Sequence, residues 1–284
     1  MAKLAPFGWQ VRVGFISGEM GANYDSILCG VEGNPASTEA ARQAIALAGD
    51  HAKLHFTAVY TTFELGPDRH KDKLEESLEE AARMAGEAGV SASYNLREAR
   101  YAIDVLLPES QEYDLLVIGT HGKSRARGIF FGSTASEAAH GLEGPLLIAR
   151  EAPAGDPFPK KILFATDGSP GSWAPARAAG QLASRFDSAV EVVHVDDGKH
   201  PEAEPVVTDQ VAEIAAEIGN PPPVATHEGN AKDEILEAAK AKGASLIVAG
   251  RRGVKGLKAL GSVSERVVSA AECSVLLVPD GEPA

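Results

Sequence analysis

Two stretches of this sequence have residue types and spacing suited to holding phosphate. Residues 119–134 read GTHGKSRARGIFFGST, and residues 250–263 read GRRGVKGLKALGSV. In each, an apolar run ends on a glycine (Gly119, Gly250) and a second glycine stands three positions on (Gly122, Gly253). A Gly-Ser pair closes each stretch: Gly132 and Ser133 before Thr134, Gly261 and Ser262 before Val263. Glycines let the backbone turn sharply and bring bare N–H groups against phosphate oxygens. A helix is expected to begin at Ser133 and at Ser262, where free N–H groups and the dipole favour an anion. Lys123, Arg125 and Arg127, and Arg251, Arg252, Lys255 and Lys258, put positive charge beside the glycines. Singly each reads as a solvated charge, but as a group they fit phosphate neutralisation. Without a ligand, the glycines alone would be strand-to-helix turn chemistry.

Other reactive side chains offer less. Asp167 follows an apolar run, as does Glu32. Ser169 stands near Asp167, but no histidine is placed to complete a triad, so nucleophilic catalysis lacks a base. His121 lies between two glycines, where a side chain can point to solvent, and His194 reads as a packed core histidine. Cys29 and Cys273 match no metal spacing and sit in or beside apolar runs, as reduced structural thiols do. The acidic pattern over 69–88 is a solvated helix face without metal-ligand spacing. Nothing here looks like an active site.

The elements that must carry these residues are written twice. ILCGVEGNP (27–35) aligns with ILFATDGSP (162–170), and Ser37, Ala41, Arg42, Ala44, Leu47 and Ala48 recur as Ser172, Ala176, Arg177, Ala179, Leu182 and Ala183. Further on, DLLVIGTHG (114–122) aligns with SLIVAGRRG (245–253), and EGPLLIA (143–149) with ECSVLLV (272–278). Matches in the same order mean a duplicated domain. The division reads as an extension at 1–24, domains at 25–150 and 160–280, and a Pro/Gly-rich linker at 151–159. In the extension, Phe7, Trp9, Val11, Val13 and Phe15 alternate with other residues, which fits either an added strand or a partly ordered tail.

Strands are expected near 26–31, 54–60, 92–96, 114–119 and 145–149, and again near 161–166, 190–195, 223–227, 245–250 and 274–278. Helical patterns fall at 38–48 and 69–88, and at 173–185, 206–218 and 232–242. Pro108 should leave the helix before the fourth strand short or kinked. Strands alternating with helices predict, in each half, a five-stranded parallel sheet covered on both faces. Ligands of such sheets bind at the carboxyl ends of the strands, where strand order reverses. The residues after the first and fourth strands therefore matter most.

At those positions the pattern G-x2-G-x9-G-[ST] resembles the nucleotide loop of the universal stress protein family. Apart from the extension and the last few residues, the chain is similar to the tandem form. The resemblance implies two Rossmann-like domains of the adenine nucleotide alpha hydrolase-like kind, binding ATP or AMP, with Mg2+ on the phosphates. In family members that bind ATP, the loop holds phosphates and ribose, while an Asp after the first strand and a second-strand valine hold the adenosine. Carried over, this implies Asp167, Val195, Gly250, Gly253, Gly261, Ser262 and Val263 in the second half. In the first half it implies Val59, Gly119, Gly122, Gly132, Ser133 and Thr134, with Glu32 in the Asp position. Each half departs once from the pattern. Glu32 displaces the carboxylate by about 1.5 Å, one bond length, and only seven residues separate Gly253 from Gly261, against nine between Gly122 and Gly132. The resemblance further implies that the two domains meet through their last strands, 145–149 and 274–278, as an internal pseudo-dimer that could pair again as a homodimer.

Composition bounds the partners. Lys plus Arg is 27 against 40 Asp plus Glu, a net charge of −13, which argues against general attraction to nucleic acid or anionic membrane. No run approaches the roughly 20 apolar residues of a membrane helix. The N-terminal stretch lacks an apolar signal core, so a cytoplasmic location is expected. The leading reading is an adenine-nucleotide-binding sensor or regulator of the stress response. The alternatives are a tandem scaffold for protein association without nucleotide and, behind it, a slow ATPase. The pyrophosphatase relatives' Ser-Gly-Gly-x-Asp-Ser loop has no match at Glu32 or Asp167.

Overall fold

The alternation of apolar runs and amphipathic helices builds ten strands into one sheet. The structure is a computed structural model that describes residues 24–61, 67–120, 132–151, 158–169, 171–196, 203–251 and 260–281. The first half runs β1 (Ser26–Val31), α1 (Pro35–Ala48), β2 (Lys53–Tyr60), α2 (Pro67–Glu87), β3 (Ala92–Glu98), α3 (Ile103–Ser110), β4 (Leu115–Gly119), α4 (Ser133–Gly141) and β5 (Leu146–Ala149). The second runs β6 (Lys161–Thr166), α5 (Trp173–Phe186), β7 (Ala189–Asp196), α6 (Ala203–Ile218), β8 (Val224–Glu228), α7 (Ala231–Lys242), β9 (Leu246–Gly250), α8 (Ser262–Ala270) and β10 (Ser274–Val278). The alternating residues of the N-terminal extension, Phe7 to Phe15, lie outside the described residues.

Strand order is β3-β2-β1-β4-β5-β10-β9-β6-β7-β8. Pairing is parallel within each half, whereas β5 and β10 pair antiparallel, with Ile148 opposite Val275 and Leu146 opposite Leu277. Strands covered on both faces can be apolar throughout, and β5 and β10 are buried along their whole length. One core, with Ala40, Leu74, Ala176 and Ile214, lies under α1, α2, α5 and α6. The other, with Ile103, Ala138, Ile235 and Val267, lies under α3, α4, α7 and α8. Each core draws residues from both halves.

Two helix boundaries show local chemistry at work. The sequence pattern begins the first helix at Thr38, but α1 starts three residues earlier. Asn34 caps it by accepting from the Ser37 N–H at 2.9 Å, the Ser37 hydroxyl accepts the Asn34 N–H in return, and Pro35 fits the first turn. The helix that carries Pro108 is short, eight residues in α3 against twelve in its counterpart α7. Among the described residues no helix is long and apolar enough to cross a membrane.

Candidate functional site

Strand order reverses between β6 and β9 in the second half and between β1 and β4 in the first. From β6 the chain moves to β7 on one side and returns through β9 on the other. Parallel pairing sets Ala165 opposite Ala249, so Asp167, just past β6, stands beside the end of β9 at Gly250. In the first half Cys29 faces Val117, and Glu32 and Gly119 occupy the matching ends. The second strands overrun these ends. β1 stops opposite Ala58 and β6 opposite His194, so Val59 and Val195 lie one residue beyond. Each half therefore gathers its first-, second- and fourth-strand candidates at the carboxyl edge of its strands.

The helices that close the glycine stretches begin where the sequence places them, α4 at Ser133 after Gly132 and α8 at Ser262 after Gly261. Neither has a side-chain cap, so among the described residues no side chain is shown on the first-turn N–H groups. Ser133, Ser262 and Val263 are exposed, and Thr134 is half-buried. The second stretch is drawn shut at its base: the Gly261 N–H donates to the Arg251 carbonyl at 2.7 Å, and the Ser264 hydroxyl donates to the Gly250 carbonyl at 2.7 Å. The glycines differ in what requires them. A Cβ on Gly119 would lie 2.3 Å from the Ala36 carbonyl oxygen, so β4 can end against the first turn of α1 only as glycine. A Cβ on Gly132 would meet nothing within 4 Å among the described residues. Gly122, Gly253, His121, Lys123, Arg125, Arg127, Arg252, Lys255 and Lys258 lie outside the described residues.

The two carboxylates are held differently. Asp167 Oδ1 accepts from the Ser169 N–H and from the Ser172 hydroxyl, both at 3.0 Å, and Oδ2 has no hydrogen bond among the described residues. Glu32 is exposed, and its Oε2 accepts from the Asn34 amide at 3.0 Å. Behind Asp167 lies a buried network that sequence reasoning missed. The Thr166 hydroxyl donates to Gln210 Oε1 at 2.7 Å and accepts from the Gly168 N–H at 3.0 Å, while the Gln210 amide donates to the Ser169 carbonyl at 3.3 Å. Gln210 is fully buried, on the stripe of α6 that carries Val207 and Ile214. A glutamine on an apolar stripe was the available signal. Gly168 has φ of +68°, and a Cβ there would fall 2.5 Å from that of Ala203. The first half has Val31 in place of Thr166, so the hydroxyl that anchors this network is missing there.

One sequence expectation is corrected. Arg251 is neither a solvated charge nor part of a basic surface on the loop. It is 4% exposed, and its guanidinium donates to the Ala139 carbonyl of α4, in the other half, at 2.7 Å. An arginine beside a strand end can satisfy its buried donors on the last turn of a helix, whose carbonyls lack partners and carry the negative end of the dipole. Arg150 does the same in reverse, donating to the Val268 carbonyl of α8 and, at 3.5 Å, to that of Cys273. Burial lowers the Arg150 pKa to about 10.

The remaining candidates are structural. His194 is buried, with Nδ1 3.2 Å from the Thr166 carbonyl oxygen, as a core histidine is. Cys29 and Cys273 are free and buried. Burial raises both thiols, Cys273 to about 11 against the opposing pull of Arg150. Among the described residues, no three His, Cys, Asp or Glu side chains group as metal ligands.

With this geometry in hand, comparison with known proteins gives a consistent result. Residues 23–150, and again residues 159–279, match the universal stress protein family. A universal stress protein of Methanocaldococcus jannaschii is 34% identical over 143 residues, 44% of this chain and 84% of the archaeal protein. One of Mycolicibacterium smegmatis is 27% identical over 236 residues, 77% of this chain and 79% of that protein. Among solved structures, a universal stress protein from Archaeoglobus fulgidus is similar in fold, with a TM-score of 0.75 at 20% identity, covering 90% of this chain and 99% of that one. With two matching segments that together span most of its length, the chain belongs to the universal stress protein family, with two such domains in tandem.

Proposed function

We propose that this protein binds an adenine nucleotide, ATP or AMP, and that occupancy makes it a sensor or regulator in the stress response. The observation that carries the reading is the Asp167 corner. There a carboxylate is fixed through one oxygen onto Ser169 and Ser172, with the other oxygen unpartnered among the described residues. That second oxygen is suited to accept from a ribose hydroxyl. On this reading the main chain of Val195, one residue beyond the end of β6, would meet adenine. Gly250, Gly253, Gly261, Ser262 and the uncapped start of α8 would surround the phosphates, with Val263 beside them; the Gly261 N–H is taken by the Arg251 carbonyl, so the donors would come from the first turn of α8. Mg2+ would enter through the phosphates, bringing charge neutralisation but no catalytic group from this chain.

In the first half the corresponding set is Val59, Gly119, Gly122, Gly132, Ser133 and Thr134 with Glu32. The open space over Gly132 and the uncapped start of α4 suit a phosphate there too. Glu32, however, is turned onto Asn34 and lacks the supports that fix Asp167. The second half, 160–280, is therefore the stronger binder, and 25–150 the weaker. A scaffold reading is favoured for the first half alone, on the strength of Glu32. On this account the chain acts in the cytoplasm as an intramolecular pseudo-dimer joined at β5 and β10, able to pair again as a homodimer.

The test is a thermal or urea unfolding series with ATP and Mg2+. At about 100 times the dissociation constant, bound nucleotide stabilises by about 2.7 kcal/mol. Asp167→Ala should abolish most of that gain, and Glu32→Ala should leave most of it. No gain in the wild type, or a gain equal in both variants, refutes the assignment.

A further inference from the structure

We propose that the crevice between α1 and α2 is a further ligand site, for a small organic cation with an apolar body and an ammonium end. A cavity of about 140 Å3 lies there, with Val31, Ala41, Ala81 and Met84 as its apolar lining. Its volume is close to the roughly 150 Å3 that takes benzene in an apolar protein cavity. The core beneath α1 and α2 lies on the opposite sheet face from α4 and α8, so the inference does not rest on the nucleotide reading. The polar side chains around the cavity offer acceptors. The Ser37 and Thr38 hydroxyls donate to the Asn34 carbonyl at 2.9 and 3.3 Å, and the Ser77 hydroxyl to the Lys73 carbonyl at 2.8 Å. With those protons spent on the helix backbone, the three oxygens can only accept. Glu76 and Glu80 add carboxylates. Glu80 is held by Arg83 at 2.6 Å, whereas Glu76 has no partner among the described residues. Val31, Ala41 and Ala81 are buried, and Thr38, Glu76 and Glu80 are exposed. The cavity therefore has an apolar floor and an acidic mouth, which suits a ligand that buries carbon and leaves a cationic donor at the surface.

The duplicated helix pairs differ in the residues that would close such a crevice. In the second half, α5 and α6 approach closely at Gly180, where a Cβ would lie 3.2 Å from the Ile214 Cα. Arg177 of α5 also bridges to Glu213 of α6 at 2.9 Å. The matching positions of α1 are Ile45 and Arg42. Ile45 has a branched side chain where Gly180 has none, and Arg42 turns back onto Glu39 of its own helix. Neither makes the contact with α2 that its counterpart makes with α6. At the mouth, Thr38 stands where the second half has Trp173, so the first half keeps a small residue there.

Met84 is the reporter. The full chain, carrying 13C at its methionine methyl groups, is titrated with benzylammonium and followed by NMR. The sequence has three methionines, and Met84→Leu identifies the Met84 signal. That signal should shift and saturate with a dissociation constant of about 1 mM, ordinary for so few atoms. Benzyl alcohol, of the same shape without the charge, should bind about fivefold more weakly, the upper end for an exposed ion pair. Glu76→Gln should weaken benzylammonium by a similar factor, and benzoate should leave the signal unmoved. Ala41→Leu, which fills the floor, and Thr38→Trp, which fills the mouth, should each abolish binding, while Thr38→Ser should keep it. Thr38 is exposed, so its two variants keep the test sound if Ala41→Leu folds poorly. No shift with benzylammonium overturns the site, as does a shift that survives both filling variants. Equal affinity for benzyl alcohol or benzoate, or unchanged affinity in Glu76→Gln, overturns the choice of a cation.

Discussion

The Ser274 hydroxyl donates to the Gln43 side-chain oxygen at 2.8 Å, joining residues 231 positions apart. It also accepts from the Arg150 N–H at 3.0 Å, while the Gln43 amide donates to the Arg150 carbonyl at 2.7 Å. All three residues are buried, and Ser274 of the second half joins Gln43 and Arg150 of the first across the seam, where β5 meets β10. A satisfied buried network fixes one arrangement of the two halves, because sliding the strands by one residue would leave it unpaired.

A charge at this seam should therefore be severe. Leu277 is fully buried opposite Leu146. Leu277→Asp should destabilise by about 4 kcal/mol or more, in the range of the largest single-residue effects. Urea denaturation read by circular dichroism measures it. A loss below about 1 kcal/mol would mean that the strands do not pair in solution.

Removing the support behind Asp167 separates positioning from contact. Gln210→Leu takes the acceptor from the buried Thr166 hydroxyl and leaves the Ser169 carbonyl with the Ser172 N–H alone, at a cost of about 1–3 kcal/mol in stability. ATP affinity should fall as well, since Asp167 shares its turn with Ser169. Unchanged affinity, measured by calorimetry, would confine the network to stability.

The glycines are expected to divide by cause. Gly119→Ala drives a Cβ into the Ala36 carbonyl and should cost about 1–3 kcal/mol, as overpacking does. Gly132→Ala meets open space and should cost no more than about 1 kcal/mol, the modest preference for glycine over alanine at a helix start. Its effect should appear instead in nucleotide uptake by the first half. Chemical denaturation of the two variants distinguishes them.

The buried thiols set an alkaline limit. Cys273 is raised by burial to about 11, so above its unfolded value, near 8.5, the unfolded chain loses its proton before the folded one. Stability from this group is intact below about pH 8.5 and is lost as pH rises towards 11. Unfolding free energy measured from pH 8 to 10.5 should fall, and Cys273→Ser should flatten the slope. At pH 8, native Cys273 and Cys29 should resist iodoacetamide.

Much of the fold was legible because it rests on local signals. Duplicated apolar runs mark all ten strands, Pro108 announces the short α3, and the Gly-Ser pairs mark the starts of α4 and α8. What escaped depends on partners distant in sequence. Arg251 reads as a loop cation, since nothing local reveals that Ala139, 112 residues earlier, offers it a carbonyl. Gln210 reads as one more polar helix residue until Thr166 and Ser169 are beside it. The start of α1 was set by Asn34 and Pro35, capping residues outside the apolar pattern. At the candidate site, Asp167 and Gly250 are neighbours because β6 pairs with β9, a relation that follows from strand order. The unequal support of Asp167 and Glu32 is a matter of hydrogen bonds and needed the structure.

The most direct test of the account is to equilibrate the protein with ATP and Mg2+, remove free ligand, denature it, and count adenine nucleotide per chain by chromatography. The account predicts at least one nucleotide per chain in the wild type, retained in Glu32→Ala and lost in Asp167→Ala. A wild type that releases none, or an Asp167→Ala variant that releases as much as the wild type, would contradict it.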